Sequence, residues 1–170
     1  LMEYACALAG LVLVTANPSF QQAELRYVLE QSRSVALFHI ESHRGNPMTA
    51  IAEEASQGLS SVREIIDLDN DEQLYASGPR PRSLPSVDPT DAAQIQYTSG
   101  TTGFPKGAVL SHHSLVNNAR LFAQRALTDQ NSVYANFMPL FHTAGCATGA
   151  LGRLQAGCRM LLIEQFDANA

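Results

Sequence analysis

Apolar positions along the chain switch repeatedly between a helical spacing and short unbroken runs, and these switches predict the elements. Met2–Gly10 places apolar side chains at near-helical spacing, and Leu11–Thr15 is a short run typical of a buried strand. Asn17-Pro18 breaks that run. Gln21–Gln31 reads as a helix with Leu25, Val28 and Leu29 on one face, and Val35–Ile40 is strand-like. Pro47–Ser56 is a second helix, followed by the strand Val62–Leu68, rich in β-branched residues. From Asp69 to Asp91 the pattern lapses. Gly78, Pro79, Pro81, Pro85 and Pro89 among scattered charges predict a surface connection there. Beyond it come a strand at Ala92–Tyr97, a Gly/Thr/Ser loop to Gly107 and a short strand at Ala108–Leu110. Ser111 suits the N-cap of a helix His112–Leu127, whose inner side carries Leu115, Val116 and Ala119. Val133–Pro139 is expected as a strand, Ala144–Gln155 as a helix of small residues and Arg159–Glu164 as a last strand.

Strands that alternate with helices require crossover connections. The class is therefore α/β, with a mostly parallel sheet and helices on both faces. A length of 170 residues allows one domain. With 45% hydrophobic and 16% charged residues the chain can bury a core, which excludes a disordered tail. A net charge of -5 argues against nucleic acid as a partner, since that needs a clustered basic surface. No apolar run approaches the ~18–20 residues of a membrane span, and the start lacks the basic region of a secretory signal. The chain opens at Leu1 on an apolar run with no cap before it, as expected of the edge of an internal piece. Cys6, Cys146 and Cys158 are widely spaced and form no Cys-x-x-Cys pair, so neither zinc nor a disulfide framework is indicated. That pattern suits the cytoplasm.

The chemistry concentrates in one stretch, Tyr97-Thr98-Ser99-Gly100-Thr101-Thr102-Gly103-Phe104-Pro105-Lys106-Gly107. Its glycines let the main chain approach a ligand closely. Four hydroxyl side chains and the backbone N–H groups offer donors to phosphate oxygens. Lys106, the only lysine of the chain, adds a point charge. Such a set suits a polyanion like the tail of ATP. The stretch is not a Walker loop, because Pro105 and Gly107 flank the lysine and the loop joins two strands, not a strand and a helix. Nor does it carry the Gly-x-Gly-x-x-Gly of dinucleotide sites. A glycine-rich surface turn would be the plain reading of a shorter match.

Those eleven residues resemble, along their whole length, the phosphate loop of the adenylate-forming (AMP-binding) superfamily. That group takes in acyl-CoA synthetases, adenylation domains of peptide synthetases and beetle luciferases. The resemblance implies that Thr98, Ser99, Gly100, Thr101, Thr102, Gly103, Phe104, Pro105 and Lys106 form a clasp for the β- and γ-phosphates of ATP. Phe104 stands at the family's variable position and takes no role of its own. Downstream, Met138-Pro139-Leu140-Phe141-His142-Thr143-Ala144-Gly145 resembles the Pro-Leu-Phe-His-x-x-Gly segment of acyl-CoA synthetases, about 35 residues after the loop as in that family. By that likeness Phe141 and His142 belong to the acyl pocket. No aspartate follows Phe141, whereas amino-acid-activating members carry Phe-Asp there, so the implied acid lacks an α-amine. The text around Ile95-Gln96-Tyr97 and Val116-Asn117-Asn118 is similar to medium- and long-chain fatty-acid ligases.

The implied reaction has two steps. A carboxylate attacks the α-phosphate of ATP to give acyl-AMP and pyrophosphate, and the thiol of CoA then displaces AMP. Mg²⁺ is expected with the nucleotide. By the resemblance the chain is an internal part of the large N-terminal domain. It lacks the family's Tyr-Gly-x-Thr-Glu and Thr-Gly-Asp motifs, and the C-terminal domain with its catalytic lysine. No catalytic or metal-ligating residue is therefore assigned, Lys106 is not that lysine, and the chain alone is not expected to turn over. A truncated, non-catalytic nucleotide-binding module is the alternative. The remaining histidines read as structural: His112 and His113 are adjacent and diverge on a helix, and His39 and His43 flank a strand end without partners. Asp67, Asp69, Asp71 and Glu72 read as a solvated turn.

Overall fold

The computed structural model describes residues 1–70, 72, 83–98 and 105–163. Most of the expected phosphate clasp, Ser99, Gly100, Thr101, Thr102, Gly103 and Phe104, lies outside the described residues, as do Asp71 and the end of the last predicted strand at Glu164. The chain divides into two units, Ala16–Leu84 and the remainder.

In the unit Ala16–Leu84, helix α2 (Gln22–Ser32) buries Leu25, Val28 and Leu29, as the periodicity predicts. Its start is held by the Glu24 carboxylate, which accepts the Gln21 backbone N–H at 2.9 Å. Strands β2 (Ala36–His39) and β3 (Glu64–Asp67) pair in parallel across the intervening helix α3 (Met48–Ser56). Leu25, Leu29, Ile51 and Ala55 form the core, with Phe20, Leu37 and Val62 packed on it. His39 has partners, contrary to the sequence reading: it is buried, and its Nδ1 lies 3.1 Å from the Ile40 carbonyl and 3.5 Å from Thr49 Oγ1. Asp67 and Asp69 do form a turn, with Asp69 accepting the Glu41 N–H at 2.7 Å.

The other unit begins with helix α1 (Met2–Leu8) and strand β1 (Leu13–Thr15). It resumes with β4 (Ala92–Thr98), β5 (Lys106–Ser111) and helix α4 (His112–Arg125). Strand β6 (Val133–Asn136), a π-helix over Ala144–Leu151, helix α5 (Gly152–Ala156) and strand β7 (Arg159–Leu162) follow. β1 lies parallel to β4, and β6 parallel to β7, while β4 and β5 form an antiparallel hairpin. Among the described residues three of the four strand pairings are parallel, in agreement with the α/β expectation.

Helix α4 starts at Ser111, whose Oγ accepts the Ser114 N–H at 3.1 Å. The carbonyls of Asp91 and Pro89 take the next free donors, those of His112 and His113. The buried face is Leu115, Ala119 and Ala123, an i, i+4, i+8 row. Val116 points outward at 44% exposure, because one residue on from Leu115 turns the side chain about 100° away. Ala93, Leu115, Cys146 and Ala147 make the core that joins β4, α4 and the π-helix, with Leu110 and Leu151 against it.

Candidate active site

Strands β4 and β5 fix the root of the glycine-rich loop. The register ends at Tyr97↔Gly107 and Thr98↔Lys106, and Thr98 Oγ1 donates to the Lys106 carbonyl at 3.4 Å. The chain thus enters the loop from one strand and leaves it into another, the strand-to-strand setting expected from the sequence. Gly107 is needed for packing: a Cβ there would stand 3.0 Å from Ile95 Cγ2 and 3.1 Å from Tyr97 Cζ, so the tyrosine ring lies over the bare backbone. Of the predicted clasp, Thr98 and Lys106 are exposed at this root, with Pro105 beside them partly buried.

The second segment hangs between β6 and the π-helix, since β6 ends at Asn136 and not at Pro139. Phe141 is half-buried and His142 exposed. The Ala144 N–H donates to His142 Nδ1 at 3.1 Å, which places the proton of the neutral ring on Nε2. The His142 carbonyl accepts from Gly145 at 2.9 Å and Cys146 at 3.0 Å, so the π-helix starts on the histidine's own backbone. Gly145 has no room for a side chain, because a Cβ would lie 2.2 Å from the Pro139 carbonyl oxygen. A helix there was expected from the sequence, but its π form was not. Such wide turns appear mostly as single-turn bulges inside α-helices, frequently at functional sites.

Two buried glutamines connect these segments. Gln94 and Gln96 share one face of β4, and each Nε2 lies 3.7 Å from Cys146 Sγ, four residues past His142. The strand that leads into the loop is thereby packed against the helix that leads out of the histidine segment. Burial pushes the Cys146 thiol up, helped by the nearby Glu3 charge, so it stays protonated and is a poor nucleophile. Burial likewise raises Glu3, whose Oε1 is enclosed without a partner. Sequence reasoning passed over both glutamines. Two polar residues at a period of two inside a strand were the available signal.

A second buried charge, Arg153, also went unread. Its guanidinium carbon sits 4.2 Å from the Tyr134 ring centroid and 5.5 Å from that of Phe122. It donates to Thr128 Oγ1 and, at 3.5 Å, to the carbonyl of Thr148 in the π-helix. Among the described residues no group of three His, Cys, Asp or Glu side chains is placed to hold a metal, and no helix is long and apolar enough to cross a membrane.

Paired glutamines on β4 thus pack against the helix that follows the Phe141-His142 segment, within an α/β unit. The chain belongs to the AMP-binding enzyme family, whose model matches residues 1–170. It is 34% identical over 194 residues to YngI of Bacillus subtilis (strain 168), covering 98% of this chain and 35% of that protein. It is 31% identical over 193 residues to the mitochondrial medium-chain acyl-CoA ligase ACSF2 of Bos taurus, covering 95% of this chain and 31% of the ligase. Among solved structures it superposes on ATP-bound MatB from Rhodopseudomonas palustris with a TM-score of 0.78 at 24% identity, covering 99% of this chain and 33% of that one. The chain spans about a third of the length of the curated relatives it matches.

Proposed function

We propose that these residues are part of the N-terminal domain of an AMP-forming acyl-CoA ligase that activates a carboxylic acid, of the fatty-acid type, with ATP. The structural observation in keeping with this reading is the Gln94 and Gln96 contact to Cys146, which packs the strand leading into the Gly/Thr/Ser loop onto the helix leading out of Phe141-His142. Family membership and the likeness to a medium-chain acyl-CoA ligase support it. A carboxylate oxygen attacks the α-phosphorus of ATP, the bond to the β-phosphate bridging oxygen breaks, and pyrophosphate leaves with the electron pair. The CoA thiol then attacks the acyl carbonyl, its proton passes to solvent, and AMP leaves.

The chain's own contribution to the first step is positioning and charge. The clasp from Thr98 to Lys106 holds the β- and γ-phosphates, and Lys106 offsets charge that grows on the leaving pyrophosphate. Phe141 lines the acyl pocket, and the Nε2–H of His142 is the donor left to face the acid. Mg²⁺, which offsets the charge of the ATP phosphates, is expected to enter bound to the nucleotide. The three free thiols suit a reducing compartment such as the cytoplasm.

Lys106→Ala in the full-length protein tests the assignment. Losing a charged contact to phosphate costs about 1.5–3 kcal/mol, so kcat/KM for ATP is expected to fall roughly 10- to 150-fold, with AMP and pyrophosphate still the products. An unchanged kcat/KM would remove Lys106 from the clasp, and ADP with phosphate as products would overturn the ligase reading.

A further inference from the structure

Asn136 lies outside both motifs, yet the Pro139–His142 segment closes on it. It ends β6 and is 2% exposed. Its Nδ2 donates to the Gly145 carbonyl at 3.1 Å, and its Oδ1 accepts the Met138 N–H at 3.3 Å. One amide thus holds the residue before Pro139 and the glycine near the start of the π-helix. Two glycines make room for this arrangement. A Cβ on Gly149 would stand 2.8 Å from Asn136 Nδ2, and one on Gly145 would strike the Met138 and Pro139 carbonyl oxygens at 2.6 and 2.2 Å.

Within the closed loop His142 is held by backbone on three sides. Its N–H donates to the Pro139 carbonyl at 3.1 Å, its carbonyl takes the Gly145 and Cys146 donors, and its Nδ1 takes that of Ala144. Whatever sets the positions of Met138 and Gly145 therefore sets the imidazole. The amide meets both demands at this buried point, because it presents a donor and an acceptor on opposite corners of one planar group. An aspartate would set a carboxylate oxygen against the Gly145 carbonyl.

We infer that Asn136 is a positioning residue for the carboxylic acid substrate, fixing where Phe141 and His142 stand without touching the acid itself. The inference rests on the ligase reading given above. It separates the two substrates: the acid side of the site depends on Asn136, whereas the phosphate clasp is rooted on β4 and β5.

The test measures carboxylate-dependent ATP–pyrophosphate exchange in the full-length protein, saturating in turn for acid and for ATP. Asn136→Asp removes the donor, and Gly149→Ala crowds the amide from outside while leaving its chemistry intact. Both variants are expected to lower kcat/KM for the acid by about tenfold or more, mainly through a raised acid KM. The ATP KM should stay within about twofold of wild type, a split that general loosening of the fold would not produce. Asn136→Ala, which removes donor and acceptor together, serves if the aspartate variant does not fold, with the same loss expected on the acid side. Acid parameters equal to wild type in folded variants, or acid and ATP parameters that worsen together, would overturn the inference. Absence of exchange with any acid in the wild type would sink the ligase reading and this inference with it, a failure visible before any variant is made.

Discussion

Gly145→Ala places a methyl group where three backbone atoms already stand. The Cβ would lie 2.2 Å from the Pro139 oxygen and 2.6 Å from both the Met138 oxygen and the Pro139 carbonyl carbon. Optimal heavy-atom contact is about 3.5–4.0 Å, so the overlap exceeds an ångström, and no flexible side chain is available to yield. Overpacking costs about 1–3 kcal/mol where neighbours can move, and more here because the neighbours are main chain. Against this, alanine in place of glycine favours a helix by about 1 kcal/mol. The net expectation is a loss of about 2 kcal/mol or more. Two sister substitutions calibrate the estimate. At Gly149 the obstacle is the Asn136 amide at 2.8 Å, and at Gly152 it is a single carbonyl, that of Ala119, at 3.1 Å. Thermal unfolding of the full-length protein should rank Gly145→Ala as most destabilised, Gly149→Ala as intermediate and Gly152→Ala as close to wild type. A Gly145→Ala protein as stable as wild type would mean that helix propensity outweighs contact, and would refute the close approach of the Pro139 carbonyl.

Two further outcomes follow from buried charge. Burial raises the folded pKa of Glu3 above the ordinary carboxylate value, so the folded state holds the proton that the unfolded state releases, and stability falls as pH rises between the two. Glu3→Gln should therefore gain in Tm relative to wild type on going from about pH 4 to pH 7, and a difference independent of pH would contradict it. Arg153→Lys keeps the charge but loses the flat stacking between Tyr134 and Phe122, and should lower Tm by an amount matching about 1–3 kcal/mol. An unchanged midpoint would show that the stack contributes nothing beyond charge.

Much of the fold was legible in the sequence because it depends on periodicity. The apolar face of α2 and the Ser111 cap of α4 stand where the residues predict. Element ends were less legible, since the last apolar residues of a run, such as Phe137 and Met138 after β6, continue the pattern after the hydrogen bonds stop. Val116 was misplaced because apolar character alone does not fix which side of the stripe falls inward. The π-helix was hidden for a different reason. Its glycines pack against the Met138 and Pro139 carbonyls and the Asn136 amide, and such contacts leave only a spacing, Gly145 to Gly149, in the sequence. The loop motif and the histidine segment were legible as text, but the groups that support them were not. Gln94 and Gln96 meet a partner 52 and 50 positions away, beyond the reach of any local pattern, and the Asn136 contacts 2 and 9 positions on carry no periodic signal.

The central claim, adenylation of a carboxylic acid, is tested most directly by ATP–pyrophosphate exchange on the full-length protein and on this chain side by side, across acids from acetate to long fatty acids. Exchange by the full-length protein with at least one acid, strongest in the fatty series, and none by the chain alone is the predicted result. A full-length protein that binds ATP yet exchanges with no carboxylate would contradict the account and leave a nucleotide-binding module in its place.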